Sequence, residues 1–320
     1  MLRSALGLIF TLTLATIVPA SFDLARRGIP PSLLDDFNLF AQYAALAGCD
    51  QNNNKTRDGK PLVCDPGFGL CDLVSHNNTN ITMSFHSKTG PTGYVALNHD
   101  QKRIILSFRG SVSRSDWKTD RDAFHKTSIP KICTNCYAHH GFWNYWQQVA
   151  NNVTELLNNT VIDYPDYKLD IVGHSLGGAL ATLAGTELQA KGFPHLRIWT
   201  FGSPKVGNFK LAEFITNKIS NIYRVTHASD PVPLQPGLWD WSHPSPEYWI
   251  NQPTNEQLNV TADVVEVIYG IDSEDGNTGQ HGSLRKNTAD HLWYFQAMGV
   301  CKQPADFDPD YGFGDGDGEL

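Results

Sequence analysis

Tyr167-Lys168-Leu169-Asp170-Ile171-Val172-Gly173-His174-Ser175-Leu176-Gly177-Gly178-Ala179-Leu180 is the stretch on which the fold turns. Its first six residues gather β-formers and become apolar toward the end, the pattern of a buried strand. From Leu176 the period changes. Leu176, Leu180, Leu183 and Leu188 recur among Gly177, Gly178, Ala179, Ala181 and Ala184, which predicts a helix. G-x-S-x-G stands between the two. A sharp strand-to-helix turn pushes a serine hydroxyl out of the backbone, and small neighbours let the helix approach the strand. Ser175 is therefore the candidate nucleophile. The Leu176 N–H, at a helix start, is a candidate donor to a developing oxyanion. A bare G-x-S-x-G also arises by chance, but a strand and a helix in the required places argue against that here.

Outward from this centre, helical and strand periods alternate. Residues 34–47 carry Leu34, Phe37, Phe40, Tyr43 and Ala44 at helical spacing and predict an opening amphipathic helix. Residues 52–71 are polar and turn-rich. Strands are expected at 82–85, 93–97, 103–108, 196–201, 222–226 and 264–269. Helices are expected at 142–157 and 209–219, with a last one at 291–298. The polar stretch 110–136 separates a strand from a helix. Alternation of this kind makes an α/β sheet protein. No repeat or interdomain linker divides residues 28–301, so one domain is expected.

Composition narrows the class of partner. A net charge of −8 over 320 residues, without blocks of Lys or Arg, argues against nucleic acid. Arg3, the apolar run 5–18 and the small residues of Val18-Pro19-Ala20 form a secretory signal peptide over residues 1–20, too short for a membrane span. Arg26-Arg27 reads either as a dibasic site ending a propeptide over 21–27 or as an exposed arginine pair. Six sequons agree with export: Asn54, Asn77, Asn80, Asn152, Asn158 and Asn259. Six cysteines in an exported chain suggest three disulfides. Cys133-x-x-Cys136 has no second C-x-x-C beside it, so a short bridge is favoured over a redox or zinc motif. Proximity pairs Cys64 with Cys71, leaving Cys49 with Cys301. That last bridge closes a loop of roughly 250 residues, for which the chain-entropy model gives at most about 5 kcal/mol. His139-His140 stands beside no ligand spacing, and neither metal nor cofactor is expected. The tail, 302–320, is acidic and glycine-rich and is expected to be disordered.

A nucleophilic serine needs a base, and the base needs an acid to fix its tautomer. Behind this type of elbow the chain order is Ser, acid, His. Residues 222–226 run into His227-Ala228-Ser229-Asp230-Pro231, which puts Asp230 just past a strand end, where an open sheet carries its site. The competing reading is a turn cap. His243, His281 and His291 all follow Asp230. His281 lies in a glycine-rich loop and His243 among prolines and tryptophans. His291 opens Leu292-Trp293-Tyr294-Phe295, whose burial would steady an imidazole. His174, beside the serine, reads as a packed, hydrogen-bonded residue with no catalytic role.

With these residues in view, the chain closely resembles the secreted fungal class 3 lipases, the filamentous-fungal lipase and feruloyl esterase group. The likeness spans residues 36–301. It is carried by Phe37-Asn38-Leu39-Phe40-Ala41-Gln42-Tyr43, Ser107-Phe108-Arg109-Gly110-Ser111, the stretch from Gly173 through Thr182, Ser245-Pro246-Glu247-Tyr248-Trp249-Ile250 and His291-Leu292-Trp293-Tyr294-Phe295. The resemblance implies an α/β-hydrolase fold with a mostly parallel sheet. It implies a Ser175–Asp230–His291 triad, an oxyanion hole from Ser111 and the Leu176 N–H, and the same three disulfides. It also implies a short lid after Ser111. There the chain departs from the lipase pattern: Arg114, Lys118 and Arg121 surround Trp117 where lipase lids carry aliphatic residues. Less apolar surface to bury in lipid implies weak interfacial activation.

The expected function is hydrolysis of acylglycerols through an acyl-enzyme, with only transient contact at a lipid–water interface and a monomeric enzyme. Feruloyl esterase activity on plant cell-wall esters is the alternative. A third reading, an inactive secreted lipid- or carbohydrate-binding protein, leaves the triad candidates and Ser111 without a purpose.

Overall fold

The computed structural model describes residues 28–63, 72–75, 78–86, 90–111, 125–237, 240–252, 260–282, 288–298 and 301. The leader, Cys64, Cys71, Asn77, Asn259, the four lid residues and the tail lie outside the described residues.

Helices are α1 Pro31–Leu46, α2 Asp72–Ser75, α3 His140–Asp163, α4 Leu176–Ala190, α5 Phe209–Lys218 and α6 Thr288–His291. Strands are β1 Thr79–Phe85, β2 Gly93–Asn98, β3 Arg103–Phe108, β4 Lys126–Ser128, β5 Tyr137–His139, β6 Lys168–His174, β7 Leu196–Phe201, β8 Ile222–His227, β9 Glu247–Ile250 and β10 Val265–Ile268. Eight strands form the main sheet in the order β1-β2-β3-β6-β7-β8-β9-β10. From β3 to β9 neighbours run parallel, and the two margins are antiparallel. Chain order reverses nowhere along this row, and β6, which leads to Ser175, lies near its middle.

Alternation along each strand divides the core in two, because successive side chains point to opposite faces. Ile104, Leu106, Leu169, Ile171 and Ile198 face α3, α4 and α5. Ile105, Val172, Trp199 and Phe201 face α1. On that second face Phe40 stacks on Trp199 at 4.1 Å, and Trp199 stacks on Tyr223 at 4.0 Å. Arg197 and Arg103 meet the buried carboxylate of Asp170 below the stack, and Arg103 also reaches Asp36 of α1. Packing and charge together seat α1. Cys49, just past its end, is bonded to Cys301 across 252 residues, and Cys133 is bonded to Cys136. The bridge at Cys301 thereby ties the segment after α6 back to α1.

The structure corrects one expected element. The helix expected at 291–298 is instead the end of α6, which stops at His291. Beyond it Phe295 takes a left-handed φ of 60°, Tyr294 N–H donates to Gln296 O, and Trp293 bridges Ala297. The reason lies in where the rings go. Tyr294 reaches Asp230, Phe295 stacks on Phe37, and Trp293 packs on His227. One helical stripe cannot serve three such directions. The structure also adds β4 within the polar stretch, its hairpin partner β5 just beyond it, and β9.

Candidate active site

Phe108 at the end of β3 pairs with Gly173 in β6, and His174 pairs with Phe201 in β7, so three strands end together at one edge of the sheet. Ser175 leaves β6 there with φ 56° and ψ −128°, a strained backbone for a residue with a Cβ. The strain is held from both sides. Ser175 N–H donates to Phe201 O, and Ser175 O accepts from Gly178 and Ala179 of α4. Gly177 permits the close helix: a Cβ there would lie 2.3 Å from Phe108 O.

The structure brings Ser175, His291 and Asp230 together. His291 Nε2 lies 2.9 Å from Ser175 Oγ, and His291 Nδ1 lies 2.8 Å from Asp230 Oδ2. All three residues are buried. Asp230 is saturated with donors, since Oδ1 also accepts Val232 N–H at 2.8 Å and Oδ2 the Tyr294 hydroxyl at 2.5 Å. A buried carboxylate with these three donors orients the Nδ1–H of His291, leaving Nε2 free to accept the serine proton. Gly202 makes the room, because a Cβ there would lie 2.8 Å from Asp230 Oδ2 and 3.0 Å from His291 Nδ1.

Of the other histidines, His243 turns away from Ser175 and donates Nε2–H to Pro233 O at 2.7 Å. It braces the turn after Asp230. The side chain of His281 lies outside the described residues. His139 accepts Phe142 N–H as the cap of α3, and His140 meets Thr127 Oγ1, so this pair is used within the fold.

Ser111 is partly buried and follows Gly110, whose backbone runs beside the nucleophile: a Cβ on Gly110 would lie 3.4 Å from Ser175 Cβ. Leu176 is the first residue of α4, and an N–H at that position has no partner within the helix. Ser111 and the Leu176 N–H thus lie on the two chain segments that adjoin Ser175.

Three supports are absent from any local sequence signal. Tyr294 donates to Asp230 from 64 residues away, and its burial, then the Asp230 charge, push its hydroxyl well above the ordinary range, so it remains a donor. His174 donates Nε2–H to His291 O at 2.8 Å, with ring centroids 4.6 Å apart. Burial and the neighbouring His291 hold its imidazole well below the usual histidine range, hence neutral. His227 places its two ring nitrogens 2.9 Å from Asp290 O and 2.7 Å from Gln252 O, joining the strand before Asp230 to α6, which ends in His291. Of the sequons among the described residues, Asn54, Asn152 and Asn158 are exposed and Asn80 is half-buried.

Residues 105–239 match the family described as Lipase (class 3). The secreted mono- and diacylglycerol lipase A of Penicillium cyclopium is 38% identical over 284 residues, which cover 88% of this chain and 90% of that one. Secreted mono- and diacylglycerol lipase 1 of Fusarium solani is 36% identical over 271 residues, covering 84% of this chain and 78% of that one. The crystal structure of a mono- and diacylglycerol lipase from Aspergillus oryzae superposes with a TM-score of 0.77 at 38% identity, covering 85% of this chain and 100% of that one.

Proposed function

The chain belongs to the class 3 lipase family, and from that premise we propose that it hydrolyses mono- and diacylglycerols with Ser175 as nucleophile, His291 as general base and Asp230 as orienting acid. It is a secreted serine ester hydrolase of the α/β-hydrolase type. The observation that carries the assignment of roles is the relay from Ser175 Oγ through both nitrogens of His291 to Asp230, at 2.9 and 2.8 Å.

In this reading Ser175 Oγ attacks the ester carbonyl carbon as its proton passes to His291 Nε2. Negative charge gathers on the former carbonyl oxygen, which Ser111 and the Leu176 N–H stabilise. Collapse breaks the bond to the glycerol oxygen, which takes the proton from Nε2 and leaves. Water then gives a proton to Nε2 while attacking the acyl-enzyme, and the carboxylic acid departs as Ser175 recovers its hydrogen. Asp230 holds the Nδ1–H of His291 and stabilises the imidazolium.

Two observations support partial glycerides. The relatives at 38% and 36% identity are both named for them. A mono- or diacylglycerol also keeps a free hydroxyl, and the charged Arg114-Ser115-Asp116-Trp117-Lys118 suits a more polar substrate than a triglyceride. The same reading has residues 1–20 removed on export and cleavage after Arg27, and it has a monomer touching the lipid–water interface transiently. Ile29, two residues beyond that cleavage, is buried and donates its N–H to Ala262 O. Fatty-acid release from monoolein, diolein, triolein and methyl ferulate tests the substrate. The partial glycerides are expected to be cleaved fastest and methyl ferulate hardly at all. A higher kcat/KM on methyl ferulate would transfer the enzyme to aromatic esters.

A further inference from the structure

Ala228 stands between β8 and Asp230 with φ 37°, a left-handed backbone in which an L side chain is strained. Strain of this kind persists only where the surroundings over-determine it. Here they do. Ala228 N–H donates to Ile250 O at 2.9 Å, and Ala228 O accepts from both Trp249 Nε1 and Asn277 Nδ2, each at 3.1 Å. The same amide of Asn277 donates a second hydrogen to Asp230 O at 3.0 Å. One side chain therefore grips the turn at the strained residue and at the acid.

Asn277 is itself buried and anchored. Its backbone N–H donates to Glu247 Oε1 at 3.2 Å, and Glu247 pairs with Arg224 at 3.1 Å and accepts from Thr226. The anchor thus lies on β8 and β9, the strands that frame the acid turn, while Asn277 arrives from a segment 47 residues beyond Asp230.

We propose that Asn277 is a positioning residue for the acid of the triad, holding the left-handed turn at Ala228 so that Asp230 Oδ2 meets His291 Nδ1. The proposal rests on the reading of Asp230 as the catalytic acid. Asn277 suits the task because the two hydrogens of one amide hold two carbonyls two residues apart, and so hold the Ala228–Ser229 and Asp230–Pro231 peptide planes that bracket Ser229 and Asp230.

The test is saturation kinetics on soluble p-nitrophenyl butyrate, with active sites titrated by a phosphonate, for Asn277→Ala, Ala228→Gly, the double variant and Asp230→Asn. Displacing a catalytic group by a fraction of an ångström to an ångström costs up to about 100-fold, so Asn277→Ala should lower kcat per titrated site by about 10- to 100-fold with KM held within about 2-fold. Glycine adopts the left-handed turn without strain. Ala228→Gly should therefore restore most of the lost kcat in the double variant while changing little alone. A purely structural role would lower the titrated fraction or the melting temperature and leave kcat per site unchanged, which overturns the proposal. A loss that Ala228→Gly fails to restore overturns it also. If Asn277→Ala does not fold, Asn277→Ser, which keeps one donor, decides by the same two measurements. Asp230→Asn separates the levels: if it retains activity, the triad reading fails; if it is inactive and Asn277→Ala is unimpaired, only the positioning role fails.

Discussion

Replacing Tyr294 with Phe removes a single hydroxyl from the wall around Asp230. That hydroxyl donates to Asp230 Oδ2, the oxygen that also accepts His291 Nδ1–H at 2.8 Å. The ring is fully buried among Phe201, His174 and His227, so its packing survives the change. A hydrogen bond to a charged acceptor contributes about 1.5–3 kcal/mol. For a domain of this size each kcal/mol moves the melting midpoint by about 2–4 °C, so Tyr294→Phe should lower it by about 3–12 °C. Asp230 keeps the His291 and Val232 donors, and the triad remains assembled. The fall in kcat should therefore be on the order of 10-fold, far below the roughly 10⁴-fold that follows loss of a triad acid's function. Thermal melts at pH 7 and titrated kinetics on p-nitrophenyl butyrate read both quantities. An unchanged midpoint would refute the idea that this donor stabilises the buried carboxylate. A fall of about 10⁴ in kcat would place Tyr294 in the chemistry itself.

Two further outcomes follow from the same geometry. Ser111→Ala should lower kcat on the order of 100-fold with KM little changed, because an oxyanion donor acts mainly in the transition state; a change confined to KM would make Ser111 a substrate contact. His243 is held well below the usual 6.5 by burial and then by Arg224 and Lys205, so the unfolded chain takes up a proton there that the folded chain refuses. Stability should therefore fall as pH drops below about 6.5, by up to about 1.4 kcal/mol per pH unit from this residue. His174 acts with the same sign. Urea unfolding between pH 7 and 5 should show a shallower loss in His243→Gln, which keeps a donor for Pro233 O, and parallel curves for the two proteins would contradict the assignment.

What was legible in the sequence follows the range of the interactions. The elbow is local: one strand, one turn and one helix state their periods within residues 167–188, and β6 and α4 lie there. β3 stands out for the same reason, with Ile104-Ile105-Leu106 as a continuous apolar run in a sheet buried on both faces. Asp230 and His291 could be picked because position after a strand and order along the chain are one-dimensional properties. β9 escapes because its first residue is a glutamate, buried where Arg224 and Thr226 on β8 and the Asn277 N–H satisfy it. The chain at 291–298 misleads because an aromatic run states hydrophobicity without direction; Asp230, Phe37 and His227 supply the directions. Asn277, His174 and Tyr294 owe their parts to partners between 47 and 117 residues away. No spacing rule reaches that far.

The proposed nucleophile, Ser175, is read most directly by a covalent inhibitor. A p-nitrophenyl alkylphosphonate added to the enzyme should release one nitrophenolate per molecule while hydrolysis of a diacylglycerol emulsion falls in proportion, and peptide mass spectrometry should find the phosphonate on Ser175. Activity persisting in fully Ser175-labelled protein, or full inactivation with the label on another residue, would contradict the account.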